Sequence, residues 1–293
     1  MLIAGMVTLM IALYTMQSLF CKVYSDSYPG EPDRSSAVFS IVCGLIIALA
    51  GLILTGFRIG VSPTTLWFAL SNGAVVFLYN LFMVSASKTG PYSVQMTFML
   101  SGGILVPAFA SNIFFGDRLS PVQWISVVAI VVAIVMVSRK RHDSAVRNRT
   151  FWSYCAGLFV SNGLYGVLLD AQQRKTGTDE KEEMAMITYF TVFALAFLVG
   201  AIRRRRNFLR DFRQTRKSLI FLILCSVISA AALMVLLTTL SRMDTTVLYT
   251  FDNAGVMLFS VLCSAILFRE KLSAVNIAGC VLMTVGLVCI SAF

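Results

Sequence analysis

Two acids, Asp252 and Asp170, sit inside otherwise apolar, helix-length stretches of the sequence. If those stretches lie in a bilayer, an ionised side chain near the middle costs a few kcal/mol, so it normally faces a cavity and carries function. Asp252 falls about two turns into the run 246–268, roughly 10 Å deep at 1.5 Å per residue. A carboxylate there can take up a proton or hold a cation. Asp170 lies near the end of the run 151–173, where it can reach the interface, and it is the second candidate for a coupling role. Polar and aromatic groups at helical spacing supply company: Tyr14 and Gln17; Asn72, Tyr79 and Asn80; Gln95; Asn162 and Tyr165; and Asn253 beside Asp252. These ten residues, Asp252 included, are the candidate substrate-binding set. Gln95 and Asp252 fall on equivalent faces of the fourth and ninth runs.

Other chemistries lack their parts. The single histidine, His142, lies in a charged stretch, so metal or serine chemistry that needs an intramembrane imidazole has no base. Neither GxSxG nor the phosphate-binding GxxxxGK[ST] occurs, and no Gly-x-Gly-Asp frames either aspartate. Seven cysteines form no CxxC pair, and Cys43, Cys225, Cys263 and Cys280 lie within apolar runs as small packing residues. The expectation is a protein that is not an enzyme and has no cofactor or metal.

The elements that must hold these residues follow from composition. Apolar residues make up 58% of the chain and charged residues 13%, with mean hydropathy +0.82. Soluble domains run at roughly 45–50% and about 25%. The apolar residues come in unbroken runs, not in alternation, which points to membrane helices. A span needs about 20 apolar residues, and ten runs qualify: 2–24, 36–57, 63–87, 92–115, 121–138, 151–173, 184–202, 218–241, 246–268 and 274–292. Pro29, Gly30 and Pro32 mark a break over 25–36, and Pro63, Pro91 and Pro121 fall near helix starts. Ser101-Gly102-Gly103 ahead of Pro107 predicts a kink or local opening in the fourth helix. Ala129 and Ala133 on the fifth helix, with Gly279 and Gly286 on the tenth, read as close-packing surfaces.

The net charge of +10 sits in short loops beside the runs, which favours anionic lipid over nucleic acid as the partner. Most of the 24 basic residues flank one side, densest over 139–149 and 203–217, while Asp179, Glu180, Glu182 and Glu183 gather on the other. The positive-inside rule places the basic loops in the cytoplasm and both termini outside. The first run lacks a basic leader and a cleavage site, so it is expected to stay as a helix.

The chain also repeats itself. Residues 93–120 and 246–273 align without a gap, and both close on Phe-x-acid-base-Leu-Ser, at 115–120 and 268–273. Lys22 and Lys175 stand at matching ends of the first and sixth helices. The basic linker 139–150 separates a first five-helix repeat, 1–138, from a second, 151–293. An odd number of spans per repeat makes the two inverted. The fold class read here is thus an all-α integral membrane protein with ten transmembrane helices in two inverted five-helix repeats.

Those closures, the paired lysines and the five-plus-five plan resemble the ten-helix, EamA-type carriers of the drug/metabolite transporter superfamily, over nearly the whole chain. The resemblance implies that helices 1, 3, 4, 6, 8 and 9 enclose a cavity, with 5 and 10 peripheral. The Trp-Gly common in the family's first helix is absent, and many members have cytoplasmic termini, opposite to the charge pattern here. Small multidrug members carry a glutamate in their first helix; the nearest polar residue here is Gln17, so that mechanism does not carry over. The function so implied is secondary, alternating-access transport of small organic metabolites, as an exporter or exchanger, monomeric or homodimeric, with a proton as candidate coupling ion. The alternative class is a non-transporting receptor or assembly factor, or a lipid scramblase.

Overall fold

The computed structural model describes residues 2–57, 60–116, 120–138, 149–176, 180–204, 212, 214–240, 242, 245–270 and 272–292. His142, Asp179, Asp117 and Lys271, most of the basic linker (139–148) and much of the 203–217 basic cluster lie outside them. The described chain is helical, with no strand among these residues: α1 (Leu2–Ser27), α2 (Pro32–Leu54), α3 (Pro63–Thr89), α4 (Tyr92–Ala110), α5 (Pro121–Ser138), α6 (Arg149–Thr176), α7 (Lys181–Arg204), α8 (Arg216–Leu240), α9 (Thr245–Leu267) and α10 (Ala274–Ala292). Six of them, α1–α4, α7 and α8, are long and apolar enough to cross a bilayer, and apolar cores of α5, α9 and α10 are shorter. This is a multi-pass membrane protein.

Helix boundaries follow local chemistry. Pro63 opens α3 where its missing N–H costs nothing, and Ser62 caps that end by accepting the Thr65 N–H at 3.2 Å. Glu182 and Glu183 fill the first turn of α7, where negative charge favours the helix dipole. The break expected over 25–36 is much shorter, because Pro32 takes the first turn of α2 instead of ending a loop. At Gly116 the backbone turns left-handed (φ 75°) just past the fourth span, and Arg269 does the same (φ 51°) at the equivalent place past α9. Both are the second residue of the Phe-x-acid-base-Leu-Ser closure. Glycine adopts this conformation freely, whereas arginine is strained by its Cβ.

Packing pairs the helices across the two halves of the chain: α1 on α8, α3 on α6, α2 on α7 and α5 on α10. α5 shows how the apolar surface divides. Val127, Ile130, Ala133 and Val137 are buried in one stripe, while Ile125, Val128, Val132 and Val135 are exposed on the rest of the helix, the surface a lipid chain would wet. Gly279 and Gly286 of α10 leave room for Met136 and Ile130 of α5, the close packing the sequence suggests.

The expected opening at Ser101-Gly102-Gly103 is corrected. α4 stays α-helical through Pro107 to Ala110 and changes to a π turn only over Ser111–Phe115. The glycines serve another purpose: a Cβ at Gly102 would overlap the Phe159 carbonyl oxygen, and one at Gly163 would overlap the Val106 side chain. Small residues there let α4 and α6 cross backbone to backbone.

Candidate functional site

Between α1, α3, α4, α6 and α9 lies a cavity of about 520 Å³, a size suited to a small organic molecule. Its mouth is rimmed by Ser111, Gln123, Gln173 and the Asp170–Arg174 pair, which are residues from the end of the fourth span, the start of α5 and the end of α6. That rim lies on the side of the 4–5 and 6–7 connections. Asp170 Oδ2 accepts from Arg174 Nε at 2.9 Å, one helical turn away.

The opposite end is sealed. Tyr92, fully buried at the start of α4, joins the hydroxyls of Ser18 on α1 and Ser260 on α9 in one hydrogen-bonded chain. Its ring packs on Phe268, with centroids 5.3 Å apart. Glu270, from the second closure motif, sits on the N-terminus of α4: it accepts the Tyr92 N–H at 2.6 Å and the Ser93 N–H at 3.3 Å, and the Ser93 hydroxyl donates to it at 2.7 Å. The first amides of a helix have no partner within it, so a carboxylate satisfies them and the dipole together. Lys22 closes the same end from α1, donating to the carbonyls of Ser87 and Gly90 and pairing with Asp26 at 3.1 Å.

Around the mouth, Glu180 performs a similar helix-capping task off to one side. It accepts the Ser62 N–H at 3.0 Å and the Ser62 hydroxyl at 2.8 Å, at the start of α3. Hydrogen bonds from the side chains of Thr65 and Ser62 hold its carboxyl below the ordinary value.

Of the residues singled out by sequence, Tyr14, Gln17, Tyr79, Asn162, Tyr165, Asp252 and Asn253 all line the cavity, as does Asp170 at its mouth. Asp252 Oδ1 and Gln17 Oε1 are shielded and find no hydrogen-bond donor among the described residues. Asn162 also braces the wall, donating to the Met99 carbonyl at 2.7 Å, and the Tyr79 hydroxyl meets Met99 sulfur at 3.1 Å. Three residues fall elsewhere. Gln95 is buried between α4 and α3, accepting from Ser87 Oγ at 2.8 Å and donating to the Met83 carbonyl at 3.0 Å. Asn72 borders a small neighbouring pocket beside Tyr189, and Asn80 is buried off the cavity wall.

The cavity takes side chains from all six helices expected, Leu236 being the contribution of α8, and α5 adds Gln123. Tyr189 of α7 joins the lining without any signal in the sequence, since an isolated tyrosine in an apolar run looks the same whether it packs or binds. The seal built by Tyr92 and Glu270 does leave a trace: Glu270 is the acid of a motif that occurs in both halves.

Residues 152–292 match the EamA-like transporter family. No curated protein matches the chain. Among solved structures, the crystal structure of a protein 17% identical superposes with a TM-score of 0.63, covering 98% of each chain. At that identity the likeness speaks for the fold alone.

Proposed function

We propose, from the match of residues 152–292 to the EamA-like transporter family of the drug/metabolite transporter superfamily, a secondary carrier of small organic metabolites, an exporter or exchanger working by alternating access. The observation that carries this reading is the cavity itself. It holds an acid whose shielded Oδ1 has no donor among the described residues, opens at one end, and is sealed at the other by contacts between α1, α4, α9 and the turn after α9. Transport then requires the seal to part while the mouth closes.

Two inverted units, residues 1–138 and 151–293, supply the geometry for that exchange. Their support is the reciprocal pairing: α1 packs on α8 as α6 packs on α3, while α2–α7 and α5–α10 pair with their own counterparts. The left-handed residue at the same point of both closure motifs is a second sign of the repeat. With the basic loops cytoplasmic, the mouth faces outside and the Tyr92–Glu270 seal faces the cytoplasm.

Asp252 is the proton site in this scheme, since Asp170 already has Arg174 as its counter-charge. The test is exchange in proteoliposomes loaded with a mixed metabolite pool, with and without a pH gradient, read by mass spectrometry. Wild-type protein should move a defined solute, and Asp252→Asn should lose gradient-driven movement by about tenfold or more. An unchanged rate and pH dependence in the variant would rule out the coupling role. If correctly inserted wild type moves no solute, the carrier reading itself falls.

A further inference from the structure

The cavity's two shielded acceptors stand at different depths, and that spacing describes a ligand. Ser18 on α1 and Ser260 on α9 both bond to the Tyr92 hydroxyl, so they lie at one level, the cavity floor. Gln17 is the neighbour of Ser18, whereas Asp252 is eight positions from Ser260 toward the mouth. At 1.5 Å per helical residue, Asp252 stands about 10 Å above Gln17. Asp252 Oδ1 and Gln17 Oε1 each find no hydrogen-bond donor among the described residues, and both line the same cavity.

The chemistry of each end is different. A carboxylate withdrawn from water needs a positive partner to offset its lost hydration. A primary amide oxygen needs only a neutral donor. The lining also carries Tyr14, Tyr79 and Tyr165 with Met83 and Met99, side chains that suit a flat apolar body and whose rings favour a nearby cation. For a carboxylate the wall offers no free cation: Arg174, the basic residue of the lining among the described residues, is paired with Asp170.

Resting on the carrier reading of this cavity, we infer that its substrate is an elongated aromatic amine, its ammonium at Asp252 and a neutral hydrogen-bond donor at its far end meeting Gln17. A compound that adds a carboxylate beside the ammonium is rejected, because it brings a negative charge next to Asp252 with no free cation among the described lining residues to receive it.

Tyramine is the probe, with three single-feature controls: phenethylamine lacks the far donor, 4-(2-hydroxyethyl)phenol lacks the ammonium, and tyrosine adds the carboxylate. Equilibrium binding to the purified full chain in detergent reads the site without requiring transport. Tyramine should bind about tenfold or more tighter than each control. Asp252→Asn should abolish its advantage over the alcohol, and Gln17→Leu its advantage over phenethylamine only. Equal binding of tyrosine or the alcohol to wild type overturns the inference, as does an Asp252→Asn protein that keeps the preference for the amine. The wild-type comparison decides even if a variant fails to fold. Amine-selective binding without any solute exchange in proteoliposomes would remove the carrier reading and leave the site. Exchange confined to anions or neutral solutes would do the reverse.

Discussion

Lys22 and Lys175 occupy matching positions at the ends of α1 and α6, yet their surroundings differ. Lys22 reaches the final carbonyls of α3, at Ser87 and Gly90, where a cation complements the helix C-terminus. Lys175 instead lies over the ring of Phe68, 5.6 Å from its centre, near the start of α3. The acids that cap helices at the two ends differ in the same way. Glu270 sits beneath the cavity and ties the turn after α9 to α4, bringing Tyr92 across the axis between Ser18 and Ser260. Glu180 caps α3 beside the mouth and leaves the cavity open. One end is closed not because it has more ties but because its ties hold a large aromatic side chain across the opening.

The largest effect that should separate the two ends comes from that side chain. Tyr92→Ala removes a fully buried ring and should cost about 3–5 kcal/mol, measured as denaturant stability of the purified protein. Tyr92→Phe, which loses only the bonds to Ser18 and Ser260, should cost about 1–2 kcal/mol. A Tyr92→Ala protein as stable as wild type would mean that the ring closes nothing.

Glu270→Ala comes next. It strands two amides and a hydroxyl at the start of α4 at a cost of about 2–3 kcal/mol. Hydrogen exchange at Tyr92 and Ser93 should speed up, while the same readout with Glu180→Ala should stay at the wild-type rate. Equal acceleration by both variants would erase the distinction between the ends.

Glu180 gives a smaller, pH-dependent effect. Its carboxyl titrates below the ordinary value in the folded protein, so its stabilising contribution is complete above the unfolded value and disappears as pH falls through the lowered one. The melting temperature of wild type should therefore exceed that of Glu180→Gln at neutral pH and converge with it in acid. A gap that persists or widens in acid would contradict the assigned hydrogen bonds.

The smallest effect is a gain. Arg269→Gly relieves a left-handed arginine (φ 51°) in the second closure and should stabilise by about 1 kcal/mol, bringing it level with Gly116 in the first. A loss of stability would show that the Arg269 side chain contributes more than its strain costs.

Much of this protein is legible in its sequence because the bilayer simplifies the rules. Backbone polar groups must be satisfied within each span, so unbroken apolar runs become helices and their number is readable. A polar group in such a run is expensive wherever it meets neither a cavity nor a partner, which is why Asp252, Gln17 and Asn162 stand out from residue type and spacing alone. Helix ends are less legible, since proline at 32 opens a helix as readily as it ends one. Gln95, Asn72 and Asn80 mark where periodicity stops being informative. An amide that bonds a neighbouring helix and one that faces a cavity have the same sequence signature, and only the rotation of each helix against its partners separates them. The glycines at 102 and 103 likewise permit either an opening or a close crossing, and the approach of Phe159 selects the crossing. The sequence by itself determined that the chain spans a membrane, that its closure motif recurs and that an acid lies within an apolar run, because these are properties of local composition and spacing. The tertiary structure alone decided which end is shut, because that depends on Tyr92, Ser18, Ser260 and Glu270 meeting across distances that no run of sequence encodes.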